Sequence, residues 1–121
     1  MEMRKLQELA VSALEDIKGK NIEVIDTRGL SPLFDAMIIA TGDSNRQVRA
    51  LARNVEDKAG EAGAEGLGVE GGGAGEWVLV DLGDLIVHVM QPTVRQYYNL
   101  EELWRTTPAQ RRKAGEPAAA K

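Results

Sequence analysis

Apolar residues near the start of the chain recur with the spacing of an amphipathic helix. They fall three or four positions apart between Leu6 and Ile17, which places them on one helix face. Gly19 follows, and we expect it to adopt the left-handed conformation that ends many helices. The β-branched run at residues 22–26 then predicts a strand, and the continuous apolar run at 36–40 predicts a second strand buried on both faces.

A second helix is predicted to begin after Ser44. Serine is a favoured N-cap residue, and Gln47 three positions later completes a capping box. The apolar stripe of this helix runs from Val48 to Ala59, and Gly60 is predicted to close it.

Glycine dominates the next part of the chain. Most of the thirteen glycines lie between residues 60 and 76, where we expect a short strand at 67–69 and a mobile loop at 71–75. Two apolar runs follow, Trp77–Asp81 and Leu85–Met90, on either side of a tight glycine-containing turn. This arrangement predicts a β-hairpin.

A last helix is predicted from Pro92, which suits a first helical turn. Val94, Tyr97, Leu100 and Trp104 lie along one side of it, and we expect Tyr97 and Trp104 to pack into the core. The predicted order is α-β-β-α-β-β-β-α. The fold class is therefore α/β, with a mixed sheet of about five strands and helices packed on it.

The hairpin register determines which side chains share a face. A two-residue turn at Leu82 and Gly83 would pair Asp81 with Asp84. Successive side chains of each strand would then point to alternate faces of the sheet. One face is then purely aliphatic and belongs under the helices: Val78, Val80, Leu85, Val87 and Val89. The other face is mixed: Trp77, Leu79, Asp81, Asp84, Ile86 and His88.

The mixed face suits a partner-binding surface with an aromatic contact and an acidic rim. The alternative is a second core layer over a partly covered Trp77. A three-residue turn would shift the register by one residue and place the valines beside Trp77, which would weaken the binding hypothesis.

Catalytic interpretations have less support. Metal catalysis needs two or three gathered carboxylates, and only Asp81 and Asp84 lie near each other. His88, the single histidine, could join them as a ligand or proton relay, but such a residue is more often structural. Ser44 could help to hold an anion, although Asp43 opposes that use. We expect no catalytic residues, no metal site and no cofactor.

Length and charge restrict the remaining possibilities. A chain of 121 residues without cysteine makes one domain and no disulfide. It has no secretory or membrane-spanning pattern. Residues 1–104 carry ten basic and eighteen acidic residues, whereas 105–121 carry five basic and one acidic. The predicted domain at 1–104 therefore favours a basic partner over nucleic acid. The tail at 105–121 is predicted to be disordered, and it is the segment that could contact RNA.

The sequence resembles the ribosomal silencing factor (RsfS, Iojap-like) family over about residues 3–104. Separated blocks carry the resemblance: residues 31–35 followed by MIIATGDSNRQV, then 68–71 leading to WVLVDLGDLIVHVM, and finally RQYYNLEELW at 95–104.

The resemblance implies a non-enzymatic, cytoplasmic translation repressor. Its partner would be the large ribosomal subunit, bound through ribosomal protein fourteen (uL fourteen) at the face where the small subunit joins, especially when nutrients fall. It also implies a role in late large-subunit assembly, a homodimer in some isolated members, and a nucleotidyltransferase-like fold without the catalytic carboxylates. A large-subunit assembly factor without silencing and a degenerate nucleotidyltransferase remain alternatives.

Overall fold

The secondary structure follows the predicted order. The computed structural model describes residues 2–64, 68–71, 75–100 and 102. Its elements are α1 (Met3–Asp16), β1 (Lys20–Asp26), β2 (Ala36–Thr41), α2 (Asn45–Glu61), β3 (Gly68–Glu70), β4 (Trp77–Asp81), β5 (Leu85–Met90) and α3 (Pro92–Tyr98). The predicted residues Leu67 and Trp104, the 72–74 part of the glycine loop and the tail at 105–121 lie outside the described residues.

The five strands form one mixed sheet in the order β1-β2-β5-β4-β3. Only the central pair, β2 and β5, is parallel, and the other three described pairings are antiparallel. Every residue of β2 and β5 is buried, as expected for a central parallel pair that reads as a continuous apolar run. The predicted α/β class with a mixed five-stranded sheet is confirmed, and the nucleotidyltransferase likeness stays a prediction.

The two faces of the sheet are covered to different extents. On one face, α1 and α2 pack on the aliphatic residues of β4 and β5, and these form the larger core cluster with Leu14, Leu51 and Val55. On the other face, a smaller cluster contains Ile25, Met37, Ile39 and Met90, against which Phe34, Trp77, Val94 and Leu100 pack. This second face is only partly covered, and it is the face predicted to bind a partner.

The start of α2 is held by the predicted cap. The Gln47 backbone N–H donates to Ser44 Oγ over 3.0 Å. The Gln47 side-chain oxygen accepts from the backbone N–H of Asp43 over 2.7 Å, one residue earlier than in a standard capping box. The Gln47 amide nitrogen also donates to the backbone oxygen of Ile17 over 3.1 Å, so this residue joins the end of α1 to the start of α2.

Gly19 and Gly60 were each predicted to end a helix, and both predictions are wrong. After α1 the left-handed residue is Lys18 (φ +63°) and not Gly19. Gly19 instead lies against Leu14 and Leu51, where an added Cβ would come within 3.1 Å of each. Gly60 lies inside α2, which continues to Glu61. Gly63 has the positive φ, because the chain reverses there.

The hairpin turn is displaced by one residue from its predicted position. The pairings are Trp77 with Met90, Leu79 with His88, and Asp81 with Ile86. The Leu82 N–H donates to the Leu85 backbone oxygen over 2.9 Å, so the two turn residues are Gly83 and Asp84. Gly83 has φ +91°, and a two-residue turn of type II′ requires glycine at this first position.

The corrected register changes the partners but not the faces. Pairing shifts by two residues, and a shift by an even number keeps each side chain on its side of the sheet. Leu82 joins the aliphatic core with 7% of its surface exposed. Asp84 moves out of the strand pairing into the turn.

The last helix also differs from the prediction. α3 covers seven residues and ends at Tyr98, and the following residue, Asn99, is left-handed with φ 50°. Tyr97 is 81% exposed, so its predicted core packing is wrong, and Arg95 is buried instead. The guanidinium of Arg95 donates to Thr41 Oγ1 over 2.8 Å, which fixes α3 to the end of β2. None of the helices in the described part of the chain combines the length and the apolar composition that a membrane span requires.

The turn assignment makes a stability prediction. Gly83→Ala should lower the free energy of unfolding by about 1–2 kcal/mol, because a Cβ is unfavourable at a positive φ. Gly60→Ala is the matched control: Gly60 lies in α2 with open space where a Cβ would be added, and the substitution should raise stability by about 0.5–1 kcal/mol. Urea unfolding measures both changes. Equal effects of the two substitutions would contradict the turn at Gly83.

Candidate partner-binding groove

An open groove lies on the partly covered face of the sheet. Its volume is about 560 Å³. Five of the six predicted partner-binding residues line it: Trp77, Leu79, Asp81, Ile86 and His88. The structure therefore brings these five side chains together, and we call this surface the sheet groove.

The alternation along β4 and β5 accounts for this arrangement. Every second side chain of a strand points to the same face. Ile86 and His88 lie on the central strand β5 and are 9% and 7% exposed. Trp77, Leu79 and Asp81 lie on β4, one strand nearer the sheet edge, and are half-buried. The floor of the groove is thus closed, and its β4 side is accessible.

Asp84 does not belong to the groove. It is exposed in the hairpin turn and lines a separate depression with Met3 and Leu6. Its backbone oxygen accepts from the Asp35 N–H over 2.8 Å, which links the turn to the start of β2. Asp81 and Glu70 are the carboxylates that line the groove. Asp81 also accepts from the Gly83 N–H over 2.9 Å.

Several groove residues were missed by the sequence reasoning. Leu33 and Phe34, which precede β2, line the groove together with Met37 and Leu100. Leu33 is 78% exposed. The available signal was the placement of two large apolar residues directly after Pro32, outside any predicted strand or helix.

Aromatic side chains extend from the groove to α3. The ring centroids of Trp77 and Tyr98 are 4.8 Å apart, and those of Tyr98 and Tyr97 are 4.9 Å apart. Tyr98 is 52% exposed. Tilted and edge-on aromatic contacts of this kind are favourable beyond the area they bury. The accessible aromatic surface is therefore larger than Trp77 alone.

A hydrogen bond fixes the orientation of the Trp77 indole. Its Nε1–H donates to His88 Nδ1 over 2.9 Å, so the proton of the neutral imidazole belongs on Nε2. Burial lowers the pKa of His88 to about 4, because the charged form loses its hydration. A protonated imidazole would carry hydrogens on both nitrogens and could not accept this bond. The neutral ring therefore holds Trp77 in place at neutral pH.

The geometry does not support the metal-site hypotheses. Asp81 lines the groove, whereas Asp84 lines another depression. Within the described ranges, no three His, Cys, Asp or Glu side chains are grouped as a metal ion requires. Ser44 is engaged as the helix cap, and the neighbouring Asp43 forms an ion pair with Lys20 at 2.5 Å.

Comparison with known proteins establishes the family. The family model described as "Ribosomal silencing factor during starvation" matches residues 1–121. The chain belongs to the ribosomal silencing factor family. The family resemblance found in the sequence is thereby confirmed.

Individual relatives agree with this assignment. The ribosomal silencing factor RsfS of Chromobacterium violaceum is 59% identical over 104 residues, which cover 86% of this chain and 85% of the relative. A crystal structure of a protein from the same organism has a TM-score of 0.86 at 57% identity and covers 89% of this chain and 91% of that one. The mouse protein named "Mitochondrial assembly of ribosomal large subunit protein 1" is 28% identical over 100 residues, which cover 80% of this chain and 44% of that protein.

The buried imidazole makes a pH prediction. An unfolded histidine takes up its proton near pH 6.5, whereas folded His88 does so near pH 4. The unfolded state therefore binds more protons between these values, and stability falls as the pH falls through this window. From about pH 7 to pH 4, this group should remove about 3 kcal/mol of unfolding free energy.

Because the chain has one histidine, NMR can follow the titration of His88 without interference from other imidazoles. In NMR, its imidazole resonance should titrate near pH 4. His88→Asn, whose amide oxygen can accept the indole hydrogen bond without titrating, should show a stability that falls less with pH in urea unfolding. Titration of the wild-type imidazole near pH 6.5 would contradict the assignment.

Proposed function

We propose that this protein binds the large ribosomal subunit through ribosomal protein fourteen and prevents the small subunit from joining, which represses translation when nutrients are limited. The sheet groove is the observation that carries the proposal. It is an open apolar surface with a fixed tryptophan and two carboxylates in a member of the ribosomal silencing factor family. The proposed site of action is the cytoplasm.

The groove has the composition of a binding surface for a protein side chain. Its apolar residues include Leu33, Leu79 and Ile86, and Trp77 is half-buried beside them. Interfaces gain most of their energy from a few such aromatic contacts that become fully desolvated. The His88 hydrogen bond reduces the number of orientations that the indole must give up on binding.

The charge of the groove favours a basic partner. Asp81 and Glu70 line it, and the domain at 1–104 has eight more acidic than basic residues. Complementary charge raises the association rate with a basic ribosomal protein and disfavours acidic competitors.

Repression by this mechanism needs occupancy and no reaction. A protein bound at the joining face excludes the small subunit by its volume, so the blocked fraction of large subunits depends on the affinity and on the concentration of the factor. We therefore propose a regulatory protein and not an enzyme. The homodimer of the free chain, implied by the family resemblance, is tested by the sedimentation mass of the purified protein.

A second candidate function is large-subunit assembly without silencing. It is favoured by the name of the mouse relative, which refers to assembly of the mitochondrial ribosomal large subunit. Depletion of the protein separates the two functions: precursor particles indicate assembly, whereas unrestrained translation during starvation indicates silencing.

The first binding prediction concerns Trp77. Trp77→Ala should weaken binding to purified large subunits by about thirtyfold or more, which corresponds to about 2 kcal/mol. Leu33→Ala, which changes a largely exposed side chain at the groove, should weaken it by about fivefold without loss of core packing.

Val24→Ala is the matched control for these variants. Val24 is an apolar residue of β1, 47% exposed, and does not line the groove. Its truncation should leave binding unchanged. Co-sedimentation with large subunits, with and without competing small subunits, measures all three. Wild-type affinity in both groove variants would exclude the groove as the binding site.

The second binding prediction concerns the carboxylates. The double variant Glu70→Gln with Asp81→Asn should bind more slowly and with a weaker dependence on salt, because electrostatic attraction speeds the encounter. Asparagine keeps the oxygen that accepts from Gly83. Glu15→Gln with Asp16→Asn, exposed near the end of α1, makes the same change in net charge elsewhere. Stopped-flow association rates that are equal for the two double variants would contradict an acidic groove.

A further inference from the structure

Three arginines form a line along the exposed side of α2. Arg46, Arg49 and Arg53 are all exposed. At 100° per residue they fall within an arc of about 60°, and they extend over about 10 Å of the helix. No acidic residue occurs between positions 44 and 55. We call these residues the arginine stripe.

The stripe is a concentration of positive charge on an acidic domain. Lys20 and Arg28 form ion pairs with Asp43 and Asp26, and Arg95 is buried. Neither Arg46 nor Arg53 forms an ion pair with any residue in the described parts of the chain.

The position of the charges is unfavourable for the helix itself. Arg46 lies in the first turn of α2, and this turn has no acidic residue. The helix dipole places partial positive charge at this end, so a cation there is disfavoured. Arg46 is therefore not explained by the stability of α2.

The stripe borders a second groove, which lies between α2 and the sheet on the face opposite the sheet groove. Arg49 and Arg53 line a volume of about 500 Å³ together with Val69 of β3, Val78 of β4 and the carboxylates of Glu56 and Asp57. The neighbouring residue of β3, Glu70, lines the sheet groove instead. The short edge strand β3 thus separates the two grooves, and a partner surface that passes around this edge can reach both.

Arg49 lies close to the backbone just before β4. A Cβ at Gly75 would lie 2.6 Å from Arg49 Nη1, so the guanidinium lies directly over this glycine. Gly75 is two residues before Trp77, the main aromatic residue of the sheet groove.

We propose that the arginine stripe is a second ribosome contact that binds the phosphate backbone of ribosomal RNA beside the docked protein. This inference rests on the proposed binding to the large subunit. The planar guanidinium donates two parallel hydrogen bonds to a phosphate, and the surface of a ribosomal subunit is rich in phosphates. The net acidic charge of the domain repels phosphate, whereas the positive charge of the stripe attracts it at this position.

The salt dependence of binding to purified large subunits tests the proposal. Each phosphate contact contributes about 0.7–0.9 to the slope of log affinity against log salt concentration. In the full chain, Arg46→Gln with Arg53→Gln should lower the magnitude of this slope by about 1.4–1.8. Arg4→Gln with Lys5→Gln, exposed on α1, makes the same change in net charge and should leave the slope near that of the wild type. Equal slopes for the two double variants would overturn the proposal.

Crosslinking distinguishes RNA from an acidic protein as the partner. The chain has no cysteine, so Glu56→Cys creates a unique attachment point for a photocrosslinker in the groove beside the stripe. We expect crosslinks to ribosomal RNA from this position and none from Glu8→Cys on α1. Crosslinks from Glu56→Cys to ribosomal protein alone would overturn the RNA assignment.

The outcomes separate this proposal from the proposed function. If Trp77→Ala weakens binding and the stripe variants behave like their control, the groove hypothesis stands and the stripe hypothesis fails. If the wild-type chain does not bind large subunits, the proposed function fails and the stripe proposal fails with it.

Discussion

The alternation of side chains along β4 is the constraint on which the rest of the molecule depends. Val78 and Val80 enter the core beneath α1 and α2, and this burial leaves Trp77, Leu79 and Asp81 on the opposite face. A slip of one residue would exchange the two sets and bury a carboxylate under the helices, at a large desolvation cost. The stability of the core thus enforces the composition of the binding surface.

The Trp77–His88 hydrogen bond connects that constraint to recognition. The bond requires a neutral imidazole, and burial of His88 on the central strand β5 keeps it neutral. An indole whose hydrogen bond is satisfied inside the protein can present its remaining apolar surface to a partner without leaving a polar group unpaired. The polar residue in the floor of the groove therefore supports an apolar contact.

The sequence predicted the elements and the two faces of the sheet because these depend on periodicity, which is local. The paired apolar runs at β4 and β5 and the cap at Ser44 are examples. The exact turn was not predictable from periodicity, since Leu82 with Gly83 and Gly83 with Asp84 give the same faces. Leu33 and Phe34 reach the groove only through the tertiary path of the chain before β2. Tyr97 was misplaced because helical spacing identifies one side of α3 but not whether anything covers it.

In the described part of the chain, the edge strand β3 comprises three residues, all of them exposed. An unpaired edge normally offers a row of backbone donors and acceptors that can recruit a foreign strand. Three residues offer too few of these groups to hold a sixth strand in register, and the opposite edge, β1, carries the charged residues Lys20, Glu23 and Asp26. The sheet is therefore poorly suited to growth by strand addition, and selectivity in its associations falls to side chains.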